Sequence, residues 1–188
     1  YKRQSVGGIG DTARYTITVQ HSGGDGSPIE NVMVNDSLSD LTFSSPTSGD
    51  GGVVGVLENG EVWVYVDTRT VLLSDPDPVT NTVTVDGDDL DSEALSQVSA
   101  MHSMDVEYRP VLMITKIGPD TATVGDGVFY FINVSHDVSS DGSGIQNVTL
   151  VDDLLTGTLG LVLKSNGDQD NLLEANEVWQ YRNLIAYT

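Results

Sequence analysis

The chain contains no cysteine, which excludes disulfides, thiolate metal sites and a cysteine nucleophile. Basic residues are scarce: 8 Lys and Arg stand against 28 Asp and Glu, a formal net charge of −20. Phosphates would be repelled rather than neutralised, so nucleic acid and anionic membranes are poor partners. Divalent cations or a saline medium are the natural counterparts, with a solvated, solubilising surface as the plain alternative. No apolar run is long enough to span a bilayer, and no signal peptide opens the sequence. Tyr1 reads as lying inside a strand, so any such signal would lie upstream, and the sequence reads as an excerpt. Aromatics make up 6% of the residues, sparse for the clustered exposed face of a carbohydrate-binding module.

Signatures of catalysis are missing as well. There is no metalloprotease helix motif, phosphate-binding glycine loop or G-x-S-x-G elbow. Ser135-His136-Asp137 is a run of adjacent strand residues, which point to opposite faces and cannot form a triad. His21 and His136 fall at matching places after a strand and read as structural. Carboxylates are too dense for any one pair to stand out as glycosidase-like. The chain is expected not to be an enzyme.

What is present is one module written twice. GDTARYTITV at 10–19 recurs as GDGVFYFINV at 125–134, DGSPIENV at 25–32 as DGSGIQNV at 141–148, and NGEVWVY at 59–65 as NEVWQY at 176–181. Periodicity is of the strand type: Tyr15, Ile17 and Val19 alternate with Thr16 and Thr18, and Val62, Val64 and Val66 alternate with Trp63 and Tyr65. Turn clusters such as Asp86-Gly87-Asp88-Asp89 separate the strands. The pattern predicts an all-β chain of two tandem immunoglobulin-like β-sandwiches, repeat one over 1–107 and repeat two over 108–188. Repeat one should close with strands over Val79–Val85 and about Ser96–Val106, joined by an acidic loop over Asp86–Asp91. Repeat two has no counterpart of these and is expected to end before its final strands. Either the natural chain continues, or a strand arrives from another subunit.

The copies differ most in one loop. Asn166 to Glu177 is a twelve-residue window with oxygen-bearing side chains at positions 1, 3, 5, 9 and 12: Asn166, Asp168, Asp170, Glu174 and Glu177. With the carbonyl of Leu172 at position 7, that is the spacing by which an EF-hand-type loop wraps Ca²⁺, a hard cation taking six to eight oxygens. Asn166 in place of Asp removes one charge and should weaken binding. In repeat one the stretch Asp50–Glu61 has Gly52 and Val54 at positions 3 and 5, so it is expected to be metal-free. Glu61, kept there without metal, is expected to bond backbone or a neighbouring strand.

As a set, ITKIGPDTATVGD at 114–126, I-x-NV-x-V-x-D at 29–36 with its near-copy at 145–152 (Leu150 in place of the second Val), D-x-D-x-L-L-x-x-x-E-x-W at 168–179 and NTVTV at 81–85 resemble the conserved repeat domain of unknown function found in tandem in very large bacterial and archaeal cell-surface proteins. The resemblance covers nearly the whole chain. It implies an immunoglobulin-like sandwich, export, and a stalk, adhesive or filament-forming role, and the family carries no known activity. Related surface sandwiches weld first and last strands through a Lys–Asn isopeptide bond assisted by a buried carboxylate. Lys2 and Asn81, with Glu61 as the carboxylate, are the corresponding candidates; the plain alternative is a solvated Lys2 and an Asn81 bonded to backbone. Lys116 has no Asn partner in the chain unless a strand arrives in trans.

The functional expectation is a non-catalytic, extracellular structural or adhesive segment with a calcium-stabilised loop in repeat two. Its partners would be neighbouring repeats or identical subunits. Two alternatives stand beside it: a filament subunit completed by donor-strand exchange, and a carbohydrate-binding accessory module.

Overall fold

A computed structural model describes residues 5–21, 23–38, 40–155, 159–165, 167 and 170–183. The protein is all-β: strands account for 48% of it, with no helix among the described residues. It divides into two compact units, Tyr1–Glu107 and Tyr108–Thr188.

Unit 1 holds β1 (Ser5–Gly8), β2 (Thr12–Gln20), β3 (Glu30–Asp36), β4 (Val62–Thr70), β5 (Val79–Asp88) and β6 (Val98–Glu107). One sheet has the order β1-β6-β5-β3, with β1 parallel to β6; β2 and β4 form a second, antiparallel sheet. In β2 the strict alternation of the sequence becomes an alternation of exposed and half-buried residues, because successive side chains leave opposite faces. The inward set, Tyr15, Ile17 and Val19, packs on a core of Leu41, Phe43, Leu57, Trp63 and Tyr65. A second cluster of Val71, Val79, Met104 and Val106 fills the other end. Each such side chain contributes about 1.5–3 kcal/mol by leaving water. These facing sheets fit a β-sandwich.

Unit 2 holds β7 (Leu112–Ile117), β8 (Phe131–His136), β9 (Ile145–Gln146), β10 (Leu159–Ser165), β11 (Leu172–Leu173) and β12 (Val178–Asn183). Its main sheet has the order β10-β12-β8-β7, and β9 pairs with β11. Val134, Leu173 and Trp179 form the core.

The duplication extends to register. Trp63 pairs with Val19 and Tyr65 with Ile17 in unit 1; Trp179 pairs with Val134 and Tyr181 with Ile132 in unit 2. Leu57 bridges to Ile29 just as Leu173 pairs with Ile145. Even the kink repeats: Asn31 and Asn147, the Asn of each I-x-NV phrase, have positive φ values of 51° and 55°. Asparagine tolerates that region better than β-branched residues do, which accounts for its place there.

The closing strands of unit 1 differ from expectation. β5 continues through Asp86 to Asp88, and β6 starts at Val98, so the connecting loop runs from 89 to 97. Two contacts hold the acidic residues in the strand: Asn31 Nδ2 donates to Asp88 (2.9 Å) and Gln97 Nε2 to Asp86 (3.1 Å). Gly87 lies so close to β3 that a Cβ there would sit 2.8 Å from Ile29 Cγ2 and 3.0 Å from the Glu30 carbonyl oxygen.

Candidate functional site

The two copies of the acidic loop place the same glutamate over the same tryptophan and then part ways. In unit 1, Glu61 Oε1 accepts from the backbone N–H of Gly51 (3.0 Å) and Gly52 (3.1 Å). Its Oε2 accepts from Glu58 N–H (3.0 Å) and the Trp63 indole (3.0 Å). These N–H donors, Glu58 foremost, hold its carboxyl below the usual range. Gly52 leaves room for Glu58, whose Oε2 lies 1.6 Å from where a Cβ would be.

In unit 2, Glu177 is buried at 2% exposure. Its Oε2 repeats the arrangement, accepting from Glu174 N–H (3.1 Å) and the Trp179 indole (3.2 Å). Its Oε1 is buried and has no hydrogen-bond partner among the described residues. That oxygen lies against the loop backbone, 1.2 Å from where a Cβ of Gly167 would stand. Buried carboxylate oxygens are ordinarily paired, and leaving one without a donor costs roughly 1–3 kcal/mol or more.

The remaining expected ligands are distributed unevenly. Asp170 caps its own turn, Oδ1 accepting from Leu172 N–H (2.7 Å). Its carbonyl accepts from Lys164, whose ammonium also sits 4.3 Å from the centre of the Trp179 ring. Leu172 is taken into the β9–β11 ladder opposite Gln146, and the Glu174 side chain is exposed. Asn166 and Asp168 lie outside the described residues. Among those described, no group of three or more acidic or histidine side chains is gathered that could hold a metal.

A second constellation surrounds Asn81, which is 7% exposed on β5. Its Nδ2 donates to Asp36 Oδ2 (3.0 Å), and its Oδ1 accepts from the Ser37 hydroxyl (3.2 Å). The partners of Asn81 are thus side chains rather than backbone. Glu61, committed to its loop and to Trp63, shares no hydrogen bond with it; the carboxylate on Asn81 belongs to Asp36. Lys2 lies outside the described residues. Asn81 opens onto a groove of about 400 Å³ between the β2 segment 15–20 and the β6 segment 98–102, floored by Val83 and Val85. Burial raises the Tyr15 hydroxyl pKa on the groove wall.

Unit 2 has a related pair. Lys116 on β7 donates to Asp152 Oδ2 (2.5 Å), with its ammonium 4.9 Å from the centre of the Tyr130 ring. Lys116, the Leu154 and Leu155 N–H groups together hold the Asp152 carboxyl low, Lys116 most strongly. Asp36 and Asp152 were signalled in sequence as the last residue of the repeated I-x-NV-x-V-x-D phrase.

The histidines are structural in both copies: a His21 ring nitrogen bonds the Ser27 carbonyl (2.7 Å), and His136 bonds the Leu173 carbonyl (2.9 Å) and Ser140 (2.7 Å). Comparison with protein-family models, with curated proteins and with solved structures found no match.

Proposed function

We propose that this chain is a non-catalytic, extracellular structural segment of a bacterial or archaeal cell-surface stalk or filament, made of two tandem immunoglobulin-like sandwiches of the repeat type its motifs resemble. The observation that supports this most is the copying itself. The Leu–Glu–Trp assembly is built twice in one register, whereas a reaction centre needs building once.

Calcium belongs to the second copy in this reading. Glu177 Oε1, buried and without a donor among the described residues, is the ligand they offer, with Asn166, Asp168, Asp170, Leu172 and Glu174 completing the expected set. The ion would neutralise the buried charge and tie the loop to β12. Terbium, which occupies calcium sites, tests it. Because the Trp179 indole shares the Glu177 carboxylate, indole-sensitised terbium emission should be strong and displaced by calcium. It should vanish in Glu177→Gln and Trp179→Phe and survive in Trp63→Phe. Calcium at a hundredfold excess over its dissociation constant would add about 2.7 kcal/mol to the folded state. An unchanged melting midpoint on chelation, together with unsensitised emission, refutes the metal site. Labelling of intact cells with a membrane-impermeant reagent tests the location, and protection of the chain from the label counts against it.

A further inference from the structure

We propose that the groove between β2 and β6 is a strand-acceptor site, which takes an extended segment of a second polypeptide reading apolar-x-apolar-x-Lys. The two units differ at this place. In unit 2 the strand ahead of β8 lies along it: β7 pairs antiparallel, Leu112 opposite His136 and Ile117 opposite Phe131. In unit 1 the strand ahead of β2 is engaged elsewhere, because β1 runs parallel to β6 at 104–107. β2 therefore pairs with β4 along one edge and has no strand on the other among the described residues. Residues 98–101 of β6 likewise have β5 on one side and no described strand on the other. Bare edges of this kind are templates for a strand from another chain.

Between these edges lies the groove of about 400 Å³, and its walls are interior positions left open to water. Cross-strand partners share a face, so Val98 and Ala100 lie on the same side of the sheet as Val85 and Val83. Ile17 and Val19 line the groove from β2. Val98 is 63% exposed in spite of its position. Ile17 and Val19 stay half-buried, whereas Ile132 and Val134, flanked by β7, are 2% and 4% exposed. A strand seated along β2 would bury them as β7 buries their counterparts.

β7 also shows the sequence such a strand needs. Leu112, Ile114 and Lys116 stand opposite His136, Val134 and Ile132, whose counterparts in the repeated phrase and just after it are His21, Val19 and Ile17. The two apolar side chains would enter the groove, and the lysine would reach the acid that ends the I-x-NV phrase. In unit 2 that acid is Asp152, whose Oδ2 accepts from Lys116 while its Oδ1 accepts from Leu154 N–H (3.0 Å). Asp36 is held in the same turn, Oδ1 accepting from Leu38 N–H (2.8 Å) and Oδ2 from the Asn81 amide (3.0 Å). No lysine or arginine pairs with Asp36 among the described residues. A carboxylate oxygen accepts more than one hydrogen bond, so Oδ2 can take a lysine beside Asn81. The net charge of −20 favours a basic incoming strand over an acidic one.

This site goes beyond the stalk reading and stands without it, and without calcium. The probe is a synthetic peptide copying residues 110–118, PVLMITKIG, added to the full chain. It should bind saturably in calorimetry, and amide hydrogen exchange should slow along 15–20 and not along 131–136. Replacing the peptide's lysine with methionine, or Asp36→Asn in the protein, should each weaken binding by about tenfold or more. Both changes together should weaken it no further, since they remove one contact. Ala100→Trp, at an exposed position, should fill the groove and abolish binding, with circular dichroism confirming the fold. No binding at about 1 mM peptide overturns the proposal, because the groove would then be closed by the protein's own chain. Protection at 131–136 alone, which is exchange with β7, overturns it as well, as does a lysine effect that persists in Asp36→Asn.

Discussion

Arg69 is a buried cation, 8% exposed on β4, and its two carboxylate partners should differ sharply in worth. Asp75 receives two near-parallel bonds, from Nη1 (3.0 Å) and Nη2 (2.9 Å), and its side chain is 11% exposed. Asp40 receives Nε at 2.7 Å but is 47% exposed. Removing a partner from a buried pair leaves the guanidinium desolvated, at about 3–5 kcal/mol. Because Asp40 would remain on Nε, Asp75→Ala should fall at the lower end, about 3 kcal/mol. Asp40→Ala should cost less than about 1 kcal/mol. With a urea slope of about 1–3 kcal/mol per molar, the Asp75 change lowers the midpoint by roughly 1–3 M. Fluorescence of Trp63 in a Trp179→Phe background reports unit 1 alone, since the chain has two tryptophans. Acid supplies a second arm. Hydrogen bonds from Arg69 hold the Asp75 carboxyl below its ordinary value. A group whose folded pKa is lower than its unfolded one, about 3.9 for Asp, stabilises fully above that value and ceases to as pH falls through the folded pKa. The gap between parent and Asp75→Ala should therefore narrow below about pH 4. Equal midpoints for the two alanine variants, or a gap undiminished at about pH 2, would refute the reasoning.

Four further outcomes are expected. Gly167→Ala should displace the Glu177 carboxylate, lowering unit 2 stability by about 1–3 kcal/mol and abolishing sensitised terbium emission. Gly51→Ala, whose Cβ would stand an ordinary 3.7 Å from Glu61 Oε1, should change urea stability by less than about 0.5 kcal/mol. Lys116→Met should raise the Asp152 pKa in a carboxyl NMR titration, because it removes the donor that lowers it most strongly. Gly87→Ala, which must push on Ile29 and the Glu30 carbonyl, should destabilise unit 1 by about 1–3 kcal/mol in the same urea assay.

The strands were legible in the sequence because a half-buried sheet imposes a two-residue period, and Tyr15, Ile17 and Val19 display it without interruption. The duplicated register was legible for a related reason: similar phrases at nearly constant offset pair alike. Contacts that cross the sheet order were not. Asp36 meets Asn81 across 45 residues and Lys116 meets Asp152 across 36, and the first depends on β3 lying beside β5, which local pattern does not encode. Glu61 stood as the candidate carboxylate for Asn81, yet its oxygens accept from its own loop and from the Trp63 indole. Glu61 and Glu177 read identically as letters. In unit 1 two loop N–H groups reach the Oε1 of Glu61, whereas the Oε1 of Glu177 has no donor among the described residues. Arg69 carries no signal in the sequence that sets it apart, and nothing at 40 or 75 marks its partners.

The parallel pairing of β1 with β6 decides how unit 1 responds to force. Four consecutive residues, Ser5 to Gly8, lie beside Met104 to Glu107 in the same direction. Tension applied between Ser5 and Glu107 drags these two segments past each other lengthwise, in shear, so their hydrogen bonds are loaded together instead of being unzipped one after another. Gly7 permits the close fit, since a Cβ there would come within 3.0 Å of Met104 Sδ. The first barrier to stretching the unit is therefore set by this short patch, and rupture there must break its ladder in a single event.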